Sequence, residues 1–308
     1  MIRTEHLTKR YGKLEALRDL NLTIDKGKVF GFIGPNGAGK STTMMILSTL
    51  LTPTEGKAYV AGYDVAKEPR RVRQSLGYMP DFFGVYDNLK ATEYLDFYAG
   101  AYHIPIGQRK RLIGDLLELV NLSNKADAYV DSLSRGMKQR LGLARCLVHS
   151  PDVLILDEPA SGLDPRARIE MREILKQLRQ MGKTILISSH ILPELAELCD
   201  EIGVIEKGRL IACGSVDEVS LTQRGIAVMM VKVIGDTAQT QRILADSNYV
   251  KRLDNKNDHF RFQFTGTELD KAQLLTALVQ AGIQVTFFGE SKENLEDVFL
   301  AITEGVGS

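Results

Sequence analysis

Cysteine, long apolar runs and a surplus of charge of either sign are all scarce or missing in this sequence of 308 residues. Its three cysteines form no Cys-x-x-Cys pair, which indicates a reducing compartment and small core residues rather than disulfides. No stretch reaches the roughly 18 uninterrupted apolar residues that a membrane span needs. The first twenty residues carry charges throughout and lack the apolar core of a signal peptide. We therefore expect a cytoplasmic protein, and any membrane role must come through a partner.

The charge balance and the histidines exclude further classes of function. Lys+Arg and Asp+Glu number 39 each, so no basic excess points to nucleic acid and no acidic excess points to disorder. The five histidines are scattered, and their spacing indicates no metal cluster. With 44% hydrophobic residues, the chain is long enough for two domains with sizeable cores.

The pattern of apolar residues predicts an α/β domain over residues 1–220. Short apolar runs at 29–33, 153–156 and 184–187 alternate with amphipathic stretches, which favours a parallel sheet flanked by helices. One helix is well marked, because Asp164 can cap it, Pro165 suits its first position and Gly182 can end it. From about 88 to 150 the strand signal fades, and we expect an all-helical insertion there.

A second, smaller domain is predicted over residues 221–308. Strands are expected at 226–234 and 284–288, with a hairpin around the turn 254–258 and a last helix near 295–302. A helix is expected at 236–248, and Thr267 with Asp270 forms the capping-box start of another. The order βαββαβ indicates a small α+β domain of the ferredoxin-like kind. No cluster of chemically active residues is visible in it.

The strongest chemical signal is a complete phosphate-binding loop, G-x-x-x-x-G-K-[ST], between a predicted strand and a predicted helix. It comprises Gly34, Pro35, Asn36, Gly37, Ala38, Gly39, Lys40 and Ser41, and Thr42 follows. Backbone amides of such a loop wrap phosphate oxygens, and the following helix N-terminus adds partial positive charge. We expect Lys40 to reach the β- and γ-phosphates of ATP and Ser41 to hold Mg²⁺.

Polar residues follow two other predicted strands. Asp157 and Glu158 come directly after the apolar run 153–156. We expect the first carboxylate to bind Mg²⁺ and the second to orient and activate the attacking water. His190 follows the run 184–187 and is a weaker candidate for contact with the γ-phosphate.

At this point the sequence resembles the ATP-binding subunits of ABC transporters. The segment 133–144, LSRGMKQRLGLA, is similar to the family's signature, and Ser161-Gly162-Leu163-Asp164 is similar to its D-loop. Tyr11 resembles the aromatic residue that stacks on adenine. The resemblance covers residues 1 to about 220 and implies a P-loop NTPase of the ABC type. It also implies a head-to-tail dimer, with two ATP molecules between the P-loop of one subunit and Ser134 and Gly136 of the other.

Two departures from the family pattern concern the site. Arg135 stands where the signature usually carries a second glycine, and Met137 where it usually carries glutamine. Asp81 stands where the Q-loop glutamine is expected. An aspartate can still approach Mg²⁺ or water, but it adds a negative charge. Arg135 can supply positive charge at the dimer seam or point to solvent.

The resemblance also implies a membrane partner. Residues 78–102 hold eight of the chain's 21 aromatic residues. We expect most of them to build the core of the helical insertion and some to line a groove, because in the family this region receives a short helix from the membrane subunit. We expect an integral membrane permease to dock near residues 81–103 and hold the protein at the inner face of the cell membrane. The sequences of this stretch, of the signature and of residues 294–300 resemble those of a bacterial branch of the family that serves exporters. Export through a separate permease is therefore the first hypothesis.

Two alternatives remain open. One is an ABC-type ATPase that acts on ribosomes or DNA without a permease, but the P-loop occurs once, no long heptad pattern is present and the charge is neutral. The other is a nucleotide-dependent regulator that binds ATP with little turnover because of Asp81 and Arg135. A homodimer is expected, because one chain supplies every part of the site.

Overall fold

The computed structural model describes residues 1–81, 88–189, 195, 197–221, 227–256 and 259–290. The chain divides into two compact units, Met1–Val216 and Asp217–Ser308. Among the described residues, none of the helices combines the length and the apolar character needed to span a bilayer.

The first unit begins with an antiparallel sheet that the sequence pattern did not predict. Its strands are β1 (Ile2–Tyr11), β2 (Leu14–Ile24), β4 (Glu55–Val60) and β5 (Tyr63–Asp64), in the order β2-β1-β4-β5. Only Gly12 and Lys13 separate β1 from β2, and a connection that short can join only antiparallel strands. The expected parallel sheet therefore covers only part of this domain, because β1, β2, β4 and β5 form a separate antiparallel sheet.

A mixed sheet forms the centre of the first unit. It contains β3 (Val29–Ile33), β6 (Leu76–Met79), β7 (Val153–Leu156), β8 (Thr184–Ser189), β9 (Glu201–Glu206) and β10 (Arg209–Gly214) in the order β10-β9-β3-β8-β7-β6. All neighbours pair in parallel except β10 with β9. The three predicted apolar runs are fully buried in β3, β7 and β8, as expected of parallel strands covered on both faces.

Helices cover this sheet and form the predicted insertion. In chain order, α1 (Lys40–Leu47) follows β3, α2 (Pro69–Ser75) precedes β6, and α6 (Pro165–Gln180) connects β7 to β8. The insertion consists of α3 (Ala91–Ala101), α4 (Ile106–Leu119), two short 3₁₀ helices (Ser123–Lys125, Val130–Ser132) and α5 (Arg135–Leu147). The start of α6 is as predicted, since Asp164 accepts a hydrogen bond from the Ala167 amide over 2.9 Å and Pro165 is the first helical residue.

A continuous core links both sheets of the first unit. Leu7 and Leu20 from the antiparallel sheet, Phe32 from β3 and Met44 and Leu47 from α1 belong to one buried cluster. Burial of apolar surface contributes about 25 cal/mol of stability per Å², and this burial holds α1 against both sheets. The loop that connects β3 to α1 is consequently anchored at both ends.

The second unit has the predicted βαββαβ order. After α7 (Val216–Leu221) come β11 (Ala227–Ile234), α8 (Thr237–Asp246), β12 (Val250–Lys256), β13 (His259–Phe264), α9 (Glu268–Gln280) and β14 (Gln284–Glu290). The sheet order β12-β13-β11-β14 is that of a ferredoxin-like fold, and Phe260, Phe262 and Phe264 lie in its core. The capping box of Thr267 and Asp270 is present. The predicted turn was too long, because residues 254–256 belong to β12, and the predicted helix near 295–302 lies outside the described residues.

Candidate nucleotide site

Three candidate segments follow neighbouring parallel strands and therefore meet at one edge of the central sheet. The strand β3 leads into the glycine-rich loop 34–39, β7 leads into Asp157 and Glu158, and β6 leads into Asp81. The intervening strand β8 ends at Ser189, and His190, which follows it, lies outside the described residues. Carboxyl ends of parallel strands are where ligands bind in such sheets, so the sheet order explains why distant motifs share one site.

The loop 34–39 has a backbone shape that favours glycine at two positions. Gly37 and Gly39 have φ angles of 82° and 111°, which side-chain-bearing residues rarely adopt. A Cβ on Gly34 would collide with the carbonyl oxygen of Ile205, and one on Gly39 would lie 2.8 Å from the carbonyl oxygen of Ala16. The backbone of the loop is thus packed closely against β9 and β2, and the first amides of α1 have no partner within the helix.

The Lys40 side chain is almost enclosed, with 6% of it exposed. Its ammonium donates to the carbonyl oxygens of Gly34 over 2.5 Å and of Pro35 over 3.3 Å. It also lies 3.7 Å from Oε1 of Glu158. Burial lowers the pKa of Lys40, while the carboxylates of Glu158 and Asp157 oppose that effect. The P-loop lysine and the second residue of the acidic pair therefore share one pocket.

The two acidic residues have different surroundings. Asp157 is buried, with 3% exposed, and accepts a hydrogen bond from Ser188 Oγ over 2.6 Å. The same Ser188 oxygen accepts the Glu158 amide over 2.9 Å. Glu158 has a φ angle of 50°, a left-handed conformation that costs a non-glycine residue about 1–3 kcal/mol. The hydroxyl of Ser188, which belongs to no motif recognised in the sequence, thus holds both acidic residues in place.

Nearly all of these parts line one cavity of about 270 Å³. It is lined by Ala16, Pro35, Asn36, Gly37, Gly39, Lys40, Ser41, Thr42, Asp81, Glu158 and Ser161. Ala38 is buried behind the loop, and its amide donates to Pro35 over 3.1 Å. Ala16 and Ser161 were not predicted as part of this cavity. Ala16 carries no motif signal, whereas Ser161 belongs to the D-loop-like segment.

Gly34, Ala38 and Asp157 do not line this cavity themselves, and three further predicted site residues lie on other elements. Tyr11 ends β1 with 45% of its surface exposed, and the ammonium of Lys9 lies 5.3 Å from the centre of its ring. Ser134 caps α5 and accepts a hydrogen bond from the Met137 amide over 3.3 Å. Gly136 is buried at the start of α5.

The oxygen donors at the cavity suit a magnesium ion that also binds phosphate. The hydroxyl of Ser41 and the carboxylate of Asp81 line the cavity, and the buried Asp157 lies behind Glu158. Magnesium prefers oxygen ligands and is usually held by one or two carboxylates together with substrate phosphates and water. Among the described residues, no cluster of three or more acidic, histidine or cysteine side chains forms a metal site by itself. The residues present fit a magnesium ion that arrives with a nucleotide.

A glycine-rich loop between a buried strand and a helix, with a buried lysine facing an acidic pair, defines a P-loop nucleotide-binding protein. Comparison with known proteins identifies the family of this chain. Residues 17–161 match the family model of the ABC transporter, and residues 214–303 match that of the ATP-binding protein DrrA1-3-like, C-terminal domain. The chain belongs to the ABC transporter family, as an ATP-binding subunit with ATPase activity.

Relatives match over nearly the whole chain. The linearmycin resistance ATP-binding protein LnrL of Bacillus subtilis is 31% identical over 98% of both chains. The daunorubicin resistance ATP-binding protein DrrA2 of Streptomyces coeruleorubidus is 35% identical over 98% of this chain and 94% of its own. A dimeric structure of the ATP-binding cassette MJ0796, in a post-hydrolysis state with ADP and Pi, matches with a TM-score of 0.64 and 25% identity. That match covers 70% of this chain and 99% of the cassette.

Proposed function

We propose that two copies of this chain hydrolyse ATP in a head-to-tail dimer and thereby drive export through a separately encoded membrane permease. The observation that carries the proposal is the position of Lys40, 3.7 Å from Glu158 in the cavity that the glycine-rich loop lines. A cation for the phosphates and a base for water within one pocket are what phosphoryl transfer to water requires.

In this mechanism the loop and Lys40 bind the phosphates, and Lys40 exchanges the carbonyl oxygens of Gly34 and Pro35 for phosphate oxygens. Glu158 accepts a proton from the water as the water oxygen bonds to the γ-phosphorus. The bond from that phosphorus to the bridging oxygen breaks, which leaves ADP and inorganic phosphate. Magnesium, bound by Ser41, Asp157 and Asp81 together with the phosphates, would neutralise charge on the phosphate oxygens.

The predicted site residues outside the cavity contact either the adenine ring or the nucleotide bound by the other subunit. Tyr11 is exposed enough to stack on adenine. Ser134 and Gly136, at the N-terminus of α5, face the γ-phosphate of the nucleotide held by the other subunit, where helix amides favour negative charge. His190 contacts that same phosphate from its own chain. The separation of Ser134 from the P-loop cavity within one chain supports this division between subunits.

Attachment to a permease is supported by exposed aromatic surface on the helical insertion. Phe97 on α3 is 51% exposed, and Tyr102 lies at the C-terminal end of α3, partly exposed. Phe82, Phe83 and Tyr86, which belong to the same expected docking region at 81–103, lie outside the described residues. The permease would hold this chain at the cytoplasmic face of the membrane. Export as the direction is supported by the similarity to LnrL and DrrA2, which are ATP-binding proteins of linearmycin and daunorubicin resistance.

Complementation between two inactive variants tests the dimer. Lys40→Ala removes the P-loop cation and Ser134→Ala removes the contact across the seam, so each alone should be nearly inactive. A mixture should recover about a quarter of wild-type turnover, because half of the dimers then hold one intact site of two. The matched control is a chain with both substitutions mixed with the Lys40→Ala chain, which leaves no intact site. No recovery in the first mixture would contradict the head-to-tail arrangement.

A permease partner is tested by co-purification. Tagged Glu158→Gln protein, held in its ATP-bound form, should retain a polytopic membrane protein from detergent-solubilised membranes, and the substitution Phe97→Ser should weaken that retention. Retention of ribosomes or DNA instead would favour the soluble ATPase, and ATP binding without turnover would favour the regulator.

A further inference from the structure

Two consecutive residues at the start of α5 pack against the segment that follows the acidic pair. A Cβ on the buried Gly136 would lie 2.8 Å from Cβ of Ala167. A Cβ on Gly162 would lie 2.6 Å from Cζ of Arg135 and 2.7 Å from each of its terminal nitrogens. The guanidinium group of Arg135 therefore rests on Gly162, in space that is open only because Gly162 has no side chain.

The position of Arg135 in its helix is otherwise unfavourable. It is the first residue of α5, and the first turn contains no acidic residue. The N-terminus of a helix carries partial positive charge, so a cation there is disfavoured. The contact with Gly162 lies at the protein surface, since both residues are exposed.

Gly162 lies in the second of two overlapping turns, 158–161 and 160–163, and the first of these lines the nucleotide cavity through Glu158 and Ser161. The Ser161 amide donates to the Glu158 carbonyl over 3.0 Å, and the Leu163 amide donates to the Ala160 carbonyl over 3.3 Å. Glu158 and Ser161 both line the cavity, and Gly162, with a φ angle of 66°, follows Ser161 directly. A displacement of Gly162 would thus move Ser161 and, through the shared turn, the backbone of Glu158.

We propose that Arg135 is a positioning residue of its own subunit: its guanidinium group holds Gly162 and so fixes the turn that carries Ser161 and Glu158. Arg135 then replaces a glycine of the usual signature with a brace between the start of α5 and the acidic pair. The proposal rests on the proposed function, because it assigns Arg135 a part in placing the base for ATP hydrolysis.

A double-mutant cycle tests the contact through activity. Arg135→Gly should lower kcat about tenfold and leave KM and ATP affinity of the monomer within about twofold, since the base shifts but the P-loop does not. Gly162→Ala should also lower kcat, because the new methyl group displaces the guanidinium. The double variant should lose less than the product of the two single losses. Arg166→Gly, which removes an exposed arginine from the first turn of α6, is the matched control and should keep wild-type kcat.

Thermal unfolding without nucleotide provides a readout that does not depend on turnover. Gly162→Ala should lower the midpoint by about 2 to 4 °C in the wild-type background and by less in the Arg135→Gly background. Losses that multiply in kcat together with midpoint shifts that add would overturn the proposal, as would wild-type kcat in Arg135→Gly. Full recovery of kcat by Arg135→Lys, which keeps the charge but not the planar group, would also overturn it and assign a charge effect on the partner's nucleotide instead. A wild-type chain without turnover would refute the proposed function. The unfolding midpoints would then still test the contact, since coupled shifts would support it and additive shifts would overturn it.

Discussion

The hydroxyl of Ser188 donates to Oδ1 of Asp157 over 2.6 Å, and its oxygen accepts the amide of Glu158 over 2.9 Å. Ser188 lies on β8, between β3 with its phosphate-binding loop and β7 with the acidic pair. One fully buried side chain therefore connects the strand beside the P-loop to both carboxylate residues. The angle at which the acidic pair leaves the sheet depends on this hydroxyl.

Replacing Ser188 by alanine should impair both stability and turnover. The buried Asp157 would lose its hydrogen bond, which costs about 1–3 kcal/mol of unfolding free energy for an unsatisfied buried group. Turnover should fall about tenfold or more, since Glu158 loses its amide contact at a strained backbone position. Urea unfolding and ATPase assays check this, with Ser75→Ala as control, because the hydroxyl of the half-buried Ser75 donates to the Arg71 carbonyl within α2. Wild-type turnover in Ser188→Ala would contradict the role of the hydroxyl.

The glycine-rich loop should tolerate a methyl group at one glycine and not at another. A Cβ on Gly34 would collide with Ile205, so Gly34→Ala should cost about 1–3 kcal/mol of unfolding free energy and abolish tight ATP binding. A Cβ on Gly37 would meet nothing within 4 Å, so Gly37→Ala should cost only about 1 kcal/mol for its left-handed conformation. Denaturant titration and nucleotide-binding measurements separate the two. Equal losses would show that β9 does not confine the loop at Gly34.

Lys40 should make the stability of the chain depend on alkaline pH. Burial lowers the pKa of Lys40 in the folded chain below the ordinary value of 10.5. At pH values between the folded pKa and 10.5, the unfolded chain therefore binds more protons than the folded one. The stability of the wild type relative to Lys40→Met should therefore rise as pH increases through that window. Urea unfolding of both proteins at several pH values checks the sign. A relative stability that falls with pH would mean that the neighbouring carboxylates outweigh burial.

Much of the site was predictable because phosphate chemistry leaves a local pattern in the sequence. The run from Gly34 to Ser41 and the pair Asp157 and Glu158 each follow an apolar strand, and both line or border the cavity in the structure. The sequence could also predict the start of α6, since the cap Asp164 is a local signal.

The rest depends on contacts between residues far apart in the chain. Ala16 enters the cavity from β2, and Ser188 reaches Asp157 across 31 positions, so neither leaves a local pattern. The antiparallel sheet was missed because β1 and β2 mix exposed polar with buried apolar residues and lack the continuous apolar run that marks β3 and β7. Their two-residue connection was the signal that could have revealed it. The sequence alone left the role of Arg135 undecided, because Gly162, which its guanidinium group contacts, lies 27 positions further along the chain.

The most direct test of the account is magnesium-dependent ATP turnover by the purified chain at increasing protein concentration, beside Lys40→Ala and Glu158→Gln. We predict that turnover per chain rises with concentration as dimers form. It should fall at least about 100-fold in Glu158→Gln, which still binds ATP, because the base is lost. Lys40→Ala should lose both binding and turnover. Wild-type turnover in Glu158→Gln, or a rate per chain that does not change with concentration, would contradict a dimeric ATPase with Glu158 as its base.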